Sequence, residues 1–101
     1  MAGALQIELP MDAIARVCRQ YQVRELSVFG SALRPDFRPD SDIDLLVTFK
    51  PEAQIGLIAF LRFQRELSEI LGRKVDLVSR NGLKPLIRDE ILAQAQVLYA
   101  S

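Results

Sequence analysis

The chain has 101 residues, half of them apolar, with 13 basic and 13 acidic side chains, one cysteine and no histidine. This length and composition are typical of one soluble globular domain. The lack of histidine excludes Ser-His-Asp and Cys-His catalysis, and also zinc sites built on Cys and His, so carboxylates remain as the strong metal ligands.

Charge and hydropathy limit the expected partners and location. A net charge of zero argues against a broad basic face, so we expect no direct binding of nucleic acid. Residues 1–12 contain no basic side chain and no apolar run of signal-peptide length, and the longest apolar run, 55–61, is far shorter than the ~20 residues of a membrane helix. These short runs predict no contact with membranes. Because Cys18 cannot form an intrachain disulfide alone, we expect a reducing compartment, the cytoplasm.

The first half of the chain predicts a helix and two strands. The helix follows Pro10, and its apolar stripe has the i, i+3, i+4, i+7 spacing of an amphipathic helix. A short strand at 26–29 ends at Gly30-Ser31 and leads into a polar loop that contains two prolines. The second strand, 43–49, has apolar residues at both parities and should be central in its sheet. The predicted stripe consists of Ile14, Val17, Cys18 and Tyr21.

The second half predicts two helices and one or two strands. A helix over 55–71 is followed by Gly72, which suits a helix C-terminus. Its main apolar stripe at helical spacing consists of Leu57, Phe60, Leu61, Gln64, Leu67, Ile70 and Leu71. A strand at 74–79 precedes an Asn-Gly turn and a last helix from Pro85 to about residue 95, and residues 97–99 could add a final strand. This order predicts a single α/β (α+β) domain over 1–101, a small sandwich whose mixed three- to four-stranded sheet packs with about three helices.

Two aspartates mark the start of the second strand. Asp42 and Asp44 are two residues apart, so their side chains point to one face, with Cα atoms roughly 6–7 Å apart. A solvent-exposed strand edge tolerates such a pair. Since Leu45, Leu46 and Val47 follow at once, the alternative is a divalent-cation site, for which oxygen ligands favour Mg²⁺ or Mn²⁺.

Asp76 and Gly30-Ser31 have simple structural interpretations as well. Asp76 lies inside an apolar strand and could pair with Lys74 or Arg73, or it could be a third carboxylate at the same metals. Gly30-Ser31 could be an ordinary turn, or a turn whose backbone N–H groups approach phosphate oxygens.

Taken together, these residues resemble the minimal nucleotidyltransferases of the DNA polymerase β superfamily. The shared pattern is Gly30-Ser31, a ten-residue spacer, Asp42-Ile43-Asp44 on a strand, and Asp76 on a later strand. Arg34 in the spacer, residues 38–41 and residues 82–92 also resemble the family. The resemblance extends from about residue 23 to residue 99.

The resemblance implies a reaction and a set of roles. Gly30 and Ser31, with Arg34 and Ser41, would hold the triphosphate of ATP, and Lys50 could add charge near it. The resemblance further implies that Asp42, Asp44 and Asp76 are the catalytic and metal-binding residues for two Mg²⁺ ions, with Mn²⁺ as a substitute. Asp76 would ligate the ion nearest the incoming hydroxyl or take its proton. The product would be an AMP ester, with release of pyrophosphate.

The short chain leaves no room for an acceptor domain, so we expect another protein to supply the acceptor. The chain resembles the antitoxins of HEPN/MNT toxin–antitoxin pairs, which implies transfer of AMP to a tyrosine of a HEPN-type RNase toxin. One alternative is an antitoxin that silences its partner by binding alone. Another is a homodimeric enzyme that modifies an aminoglycoside. Docking residues would lie on the second helix, where Phe63 is off the main apolar stripe, or on the last helix.

Overall fold

The computed structural model describes residues 9–30 and 42–101, which contain three α-helices and four β-strands. The predicted α/β class is therefore confirmed, and the predicted proline-containing loop lies outside the described residues. A 3₁₀ turn, Arg80–Gly82, stands where the Asn-Gly turn was predicted. The helices are α1 (Met11–Gln20), α2 (Leu57–Leu71) and α3 (Pro85–Gln94), and the strands are β1 (Val23–Phe29), β2 (Ile43–Phe49), β3 (Val75–Ser79) and β4 (Gln96–Ala100).

The four strands form one mixed sheet in the order β3-β2-β1-β4. β1 is antiparallel to both β2 and β4, whereas β2 and β3 are parallel and are connected through α2. The central position predicted for the second strand is confirmed. Its apolar residues at both parities are explained by this position, because Leu45 and Leu46 on opposite faces of the strand are both buried.

The main core lies between one face of the sheet and helices α1 and α2. The predicted stripe of α1 is confirmed, since all four of its residues are buried. α2 contributes Phe63 and Leu67, which are fully enclosed. The ring of Phe63 lies with its centroid 5.0 Å from that of Tyr21 and 6.1 Å from that of Phe49.

The prediction that Phe63 lies off the apolar stripe and is available for docking is wrong. Phe63 is 0% exposed, whereas Leu57 and Leu61, which the sequence assigned to the main stripe, are 73% and 49% exposed. The first turns of α2 are apolar on two sides, so helical spacing alone does not show which side packs on the sheet.

A proline begins helix α1 and a glycine ends helix α2, as the sequence predicted. Pro10 is the N-cap of α1, and its carbonyl accepts a hydrogen bond from the N–H of Ile14 at 3.0 Å. Gly72 ends α2 in the left-handed conformation at φ +67°, as expected for a glycine at this position.

Among the described residues, no helix has both the length and the apolar character that crossing a bilayer requires.

Candidate active site

The predicted site residues within the described ranges gather at one end of the sheet. β1 ends at Phe29, and β2 and β3 both begin at that end of the sheet, because β1 is antiparallel to β2 and β2 is parallel to β3. Gly30 and the aspartates at positions 42, 44 and 76 are therefore neighbours, although Asp76 lies more than thirty residues from the other two in the chain.

All three aspartates lie on the face of the sheet opposite the main core. Ile43 and Leu45 alternate with Asp44 and are buried in the core, so Asp44 points to the other face together with Asp42. Val75 and Leu77 bracket Asp76 in the same manner. Asp44 is partly buried, whereas Asp42 and Asp76 are exposed.

Asp44 and Asp76 are register partners on adjacent parallel strands. Neighbouring strands lie about 4.8 Å apart, so two carboxylates in register on one face stand side by side. Like charges in this arrangement repel each other and destabilise the pairing of the strands. A bound cation or a phosphate-bound metal would remove that penalty.

Gly30 packs directly against Asp44. Its φ is +75°, a conformation that residues with a Cβ rarely adopt, and the Cγ of Asp44 is only 3.3 Å from the place where a Cβ would lie. One carboxylate oxygen of Asp44 lies closer still, inside van der Waals contact with that place. Glycine at position 30 therefore makes room for the Asp44 side chain, a role that the sequence alone did not reveal.

Lys74 also belongs to this cluster. Its Nζ lies 4.0 Å from Oδ2 of Asp42, with side chains 79% and 50% exposed. The sequence suggested an ion pair of Asp76 with Lys74 or Arg73, but the parallel register places Lys74 beside Asp42 instead, since the N–H of Ile43 donates to the Lys74 carbonyl at 3.0 Å. An exposed pair at this distance adds little to stability. The pair does place a cation, the Lys74 ammonium group, on the face of the sheet that carries the three aspartates, which we call the aspartate face.

The three aspartates have the chemistry of a magnesium site but do not enclose one. Carboxylate oxygens are ligands that Mg²⁺ and Mn²⁺ prefer, and all three carboxylates share one face and one end of the sheet. Within residues 9–30 and 42–101, however, no three His, Cys, Asp or Glu side chains lie close enough together to hold a metal ion. Three carboxylates on one face of the sheet are suitable ligands for a divalent ion. The side chains, as they stand in the structure, do not come close enough together to surround one.

The remaining predicted positions divide into two groups. Ser31, Arg34 and Ser41 lie outside the described residues. Lys50 follows the last residue of β2, so it is about 20 Å from Asp44 along the strand. The N–H of Lys50 donates to the carbonyl of Gln22 at 2.9 Å, at the end of the sheet opposite the aspartates. The suggestion that Lys50 adds charge near the phosphates is therefore wrong.

A glycine at a strand end, packed on paired aspartates of a mixed sheet, is the arrangement expected of a nucleotidyltransferase. A family model described as "Nucleotidyltransferase domain" matches residues 11–98, so the chain belongs to this family. The resemblance inferred from the sequence is confirmed. Among its relatives, protein adenylyltransferase MntA of Thermococcus cleftensis is 37% identical over 90 residues, which cover 88% of this chain and 89% of that protein.

Solved structures show the same fold. A structure described as a minimal nucleotidyltransferase superposes with a TM-score of 0.71 at 36% identity, over 85% of this chain and 86% of that one. A toxin–antitoxin structure with AMP-PNP superposes with a TM-score of 0.74 at 22% identity, over 92% of this chain and 75% of that one. A complex of a tri-AMPylated Shewanella oneidensis HEPN toxin with MNT antitoxin superposes with a TM-score of 0.64 at 20% identity, over 90% of this chain and 70% of that one. At these lower identities the likeness concerns the fold.

Proposed function

We propose that this chain is a protein adenylyltransferase that transfers AMP from ATP to a tyrosine hydroxyl of a HEPN-type RNase and thereby acts as the antitoxin of that RNase in the cytoplasm. Support comes from the 37% identity to a protein adenylyltransferase of Thermococcus cleftensis across nearly the whole of both chains. The structural neighbour bound to an AMPylated HEPN toxin supports the nature of the acceptor, and the neighbour with AMP-PNP supports ATP as the donor.

The observation that carries the proposal is the register of Asp44 with Asp76, with Asp42 on the same face. A binding protein has no need to place carboxylates side by side on adjacent strands, where they repel each other. An enzyme that handles metal-bound triphosphate does need them. All three aspartates that the family pattern requires are present in this chain.

The proposed reaction is an in-line displacement at the α-phosphorus of ATP. The acceptor oxygen forms a bond to the α-phosphorus, the bond from that phosphorus to the bridging oxygen of the β-phosphate breaks, and pyrophosphate leaves. The acceptor hydroxyl loses its proton in the same process. Asp76 is exposed and lies beside Asp44, so it can meet an acceptor that approaches from solvent. We propose that Asp76 takes this proton or ligates the ion next to the acceptor oxygen.

Asp42, Asp44 and Asp76 would hold the divalent ions. Two Mg²⁺ ions, when bound, supply positive charge that stabilises the attacking and leaving oxygens. The chain's own residues position the donor: Gly30 keeps the end of β1 free of a side chain where it meets Asp44, so the backbone there can approach a phosphate group while the Asp44 carboxylate would face the divalent ion.

The test is incubation of the chain with Mg²⁺, the cognate HEPN-type RNase and ATP labelled at the α-phosphate, followed by detection of labelled AMP on the RNase. We expect label on the RNase with the wild-type chain, and none with Asp44→Asn or Asp76→Asn. Asp89→Asn is the matched control, because Asp89 is an exposed aspartate on α3, outside the cluster. Loss of label on changing one RNase tyrosine to phenylalanine would identify the acceptor.

Silencing by binding alone predicts a different result. In that case the RNase carries no label, and the Asp44→Asn and Asp76→Asn chains suppress its activity as well as wild type does. Label on an aminoglycoside with the isolated chain would favour the small-molecule alternative.

A further inference from the structure

Helix α2 carries a second apolar side that faces solvent. Ile58 and Leu61 are 75% and 49% exposed, and they continue at helical spacing into Arg62 and Arg65. These four residues follow the i, i+3, i+4, i+7 pattern, and we call them the outer stripe of α2. Phe63 and Leu67, which pack in the core, lie on the other side of the same helix.

The first turns of α2 are apolar on both sides, and a helix surface of this kind is typically buried on both sides. Large exposed aliphatic side chains that adjoin one another are also a recognised sign of a binding surface. The outer stripe lines a surface groove of about 350 Å³ whose walls are Ile58, Leu61, Arg62 and Arg65. The groove is therefore lined by two aliphatic side chains and two guanidinium groups.

The charges of the stripe indicate what kind of partner it fits. The four lining residues include two arginines and no carboxylate. Arg65 makes an exposed ion pair with Glu69, at 3.7 Å between Nε and Oε1. Exposed i, i+4 pairs of this type are weak, so Arg65 can exchange this contact for a carboxylate of a partner at little cost. Guanidinium groups beside aliphatic side chains suit an acidic, amphipathic protein segment.

A second copy of this chain is a poor occupant by the same argument. Docking through the same stripe would bring two guanidinium groups from each copy together, and the exposed carboxylate that each copy brings with them, Glu69, already pairs with Arg65. Burying arginine against isoleucine or leucine without a carboxylate carries a desolvation penalty. Nucleic acid is also disfavoured, because a phosphate backbone would leave Ile58 and Leu61 exposed.

We propose that the outer stripe of α2 is the surface that binds the RNase, through an acidic amphipathic helix of the RNase whose apolar side chains fill the groove and whose carboxylates meet Arg62 and Arg65. This inference depends on the proposed function for the identity of the partner. The stripe lies on the core side of the sheet, and the aspartates lie on the opposite face. Docking and AMP transfer therefore use separate surfaces of the chain, and the acceptor hydroxyl reaches Asp76 from a part of the RNase other than the docked helix.

The experiment is titration of the full chain with the cognate HEPN-type RNase, measured by calorimetry. Ile58→Asp and Leu61→Asp should each weaken binding by about tenfold or more, with a melting temperature within about 2 °C of wild type, because both side chains are exposed. Arg62→Glu should weaken binding and reduce its dependence on salt. The matched control is Leu86→Asp, since Leu86 is 95% exposed on α3, and it should bind within about twofold of wild type.

Each other outcome contradicts the assignment. Wild-type affinity in both the Ile58 and Leu61 variants would show that docking occurs elsewhere, and an equal loss in Leu86→Asp would place the interface on α3. A dimer of the chain alone that Ile58→Asp dissociates would identify a second copy as the occupant. If label reaches the RNase while these variants bind normally, the proposed function holds and the docking surface is wrong. If the wild-type chain neither binds nor labels the RNase, both proposals fail.

Discussion

Asp44 of β2 and Asp76 of β3 lie opposite each other in register on two parallel strands, although 31 residues separate them in the chain. Their side chains leave the sheet on the same face, away from the main core. Two like charges at adjacent positions oppose the pairing of the strands that carry them. Under the proposed function, the aspartate face is therefore a site at which activity and stability have opposite requirements.

Asp76→Asn should therefore abolish AMP transfer without loss of stability. Removing one of two neighbouring negative charges should leave the free energy of unfolding unchanged or raise it by up to about 1 kcal/mol. Urea unfolding of wild type and variant measures the stability, and label transfer measures the activity. A variant that is both inactive and clearly less stable would show that Asp76 has a structural role.

Gly30→Ala should damage both the fold and the site. Alanine at φ +75° is strained by about 1–2 kcal/mol, and its Cβ would displace the Asp44 carboxylate. We expect a comparable loss of stability in urea unfolding, together with loss of transfer. Gly72→Ala is the matched control, because its φ of +67° carries the same kind of strain while nothing lies within 4 Å of a Cβ there, so it should lose similar stability and keep full transfer activity. Equal effects on transfer at the two glycines would contradict the contact with Asp44.

Lys74→Gln should make the nucleotide-free protein bind Mn²⁺ more tightly. The ammonium group of Lys74 lies 4.0 Å from Asp42 and opposes a cation at the same carboxylate. Because the pair is exposed, the effect should be modest, about two- to fivefold in the dissociation constant measured by paramagnetic resonance of Mn²⁺. Lys50→Gln removes an equal charge at the other end of β2 and should change nothing. Unchanged or weaker binding in Lys74→Gln would show that Asp42 is not a ligand.

Phe63→Ala should destabilise the protein by about 3–5 kcal/mol, because it removes a fully buried ring that packs against Tyr21 and Phe49. Leu61→Ala on the exposed side of the same helix should cost less than about 1 kcal/mol. Urea unfolding compares the two. Similar losses would contradict the orientation of α2 in the structure.

Local patterns predicted most of the fold. The stripe of α1, the dense apolar run of β2 and the glycine that ends α2 each depend on residues close together in the chain, and each is confirmed. The four residues of the site that lie in the described ranges were also singled out from the sequence. Strand ends, glycines and carboxylates are visible locally, so the spacing of Gly30, Asp42, Asp44 and Asp76 was sufficient to suggest the family.

What the sequence did not predict concerns relations between distant segments. α2 is apolar on two sides, and only the position of the sheet decides that Phe63 is inside and Leu61 outside. The pairing of Lys74 with Asp42 depends on the parallel register of β2 and β3, which no local pattern reveals. The contact of Gly30 with Asp44 depends likewise on the antiparallel register of β1 and β2. Lys50 was misplaced because the direction of β2 carries it to the far end of the sheet.

The central claim is that the chain inactivates its partner by covalent chemistry at the aspartate face. The most direct measurement is the RNA-cleaving activity of the HEPN-type RNase after incubation with the chain, Mg²⁺ and ATP, followed by complete removal of the chain. We predict that the separated RNase stays inactive after incubation with wild type and is fully active after incubation with Asp44→Asn. Recovery of full activity after removal of the wild-type chain would contradict the account and would show that the partner is silenced by binding.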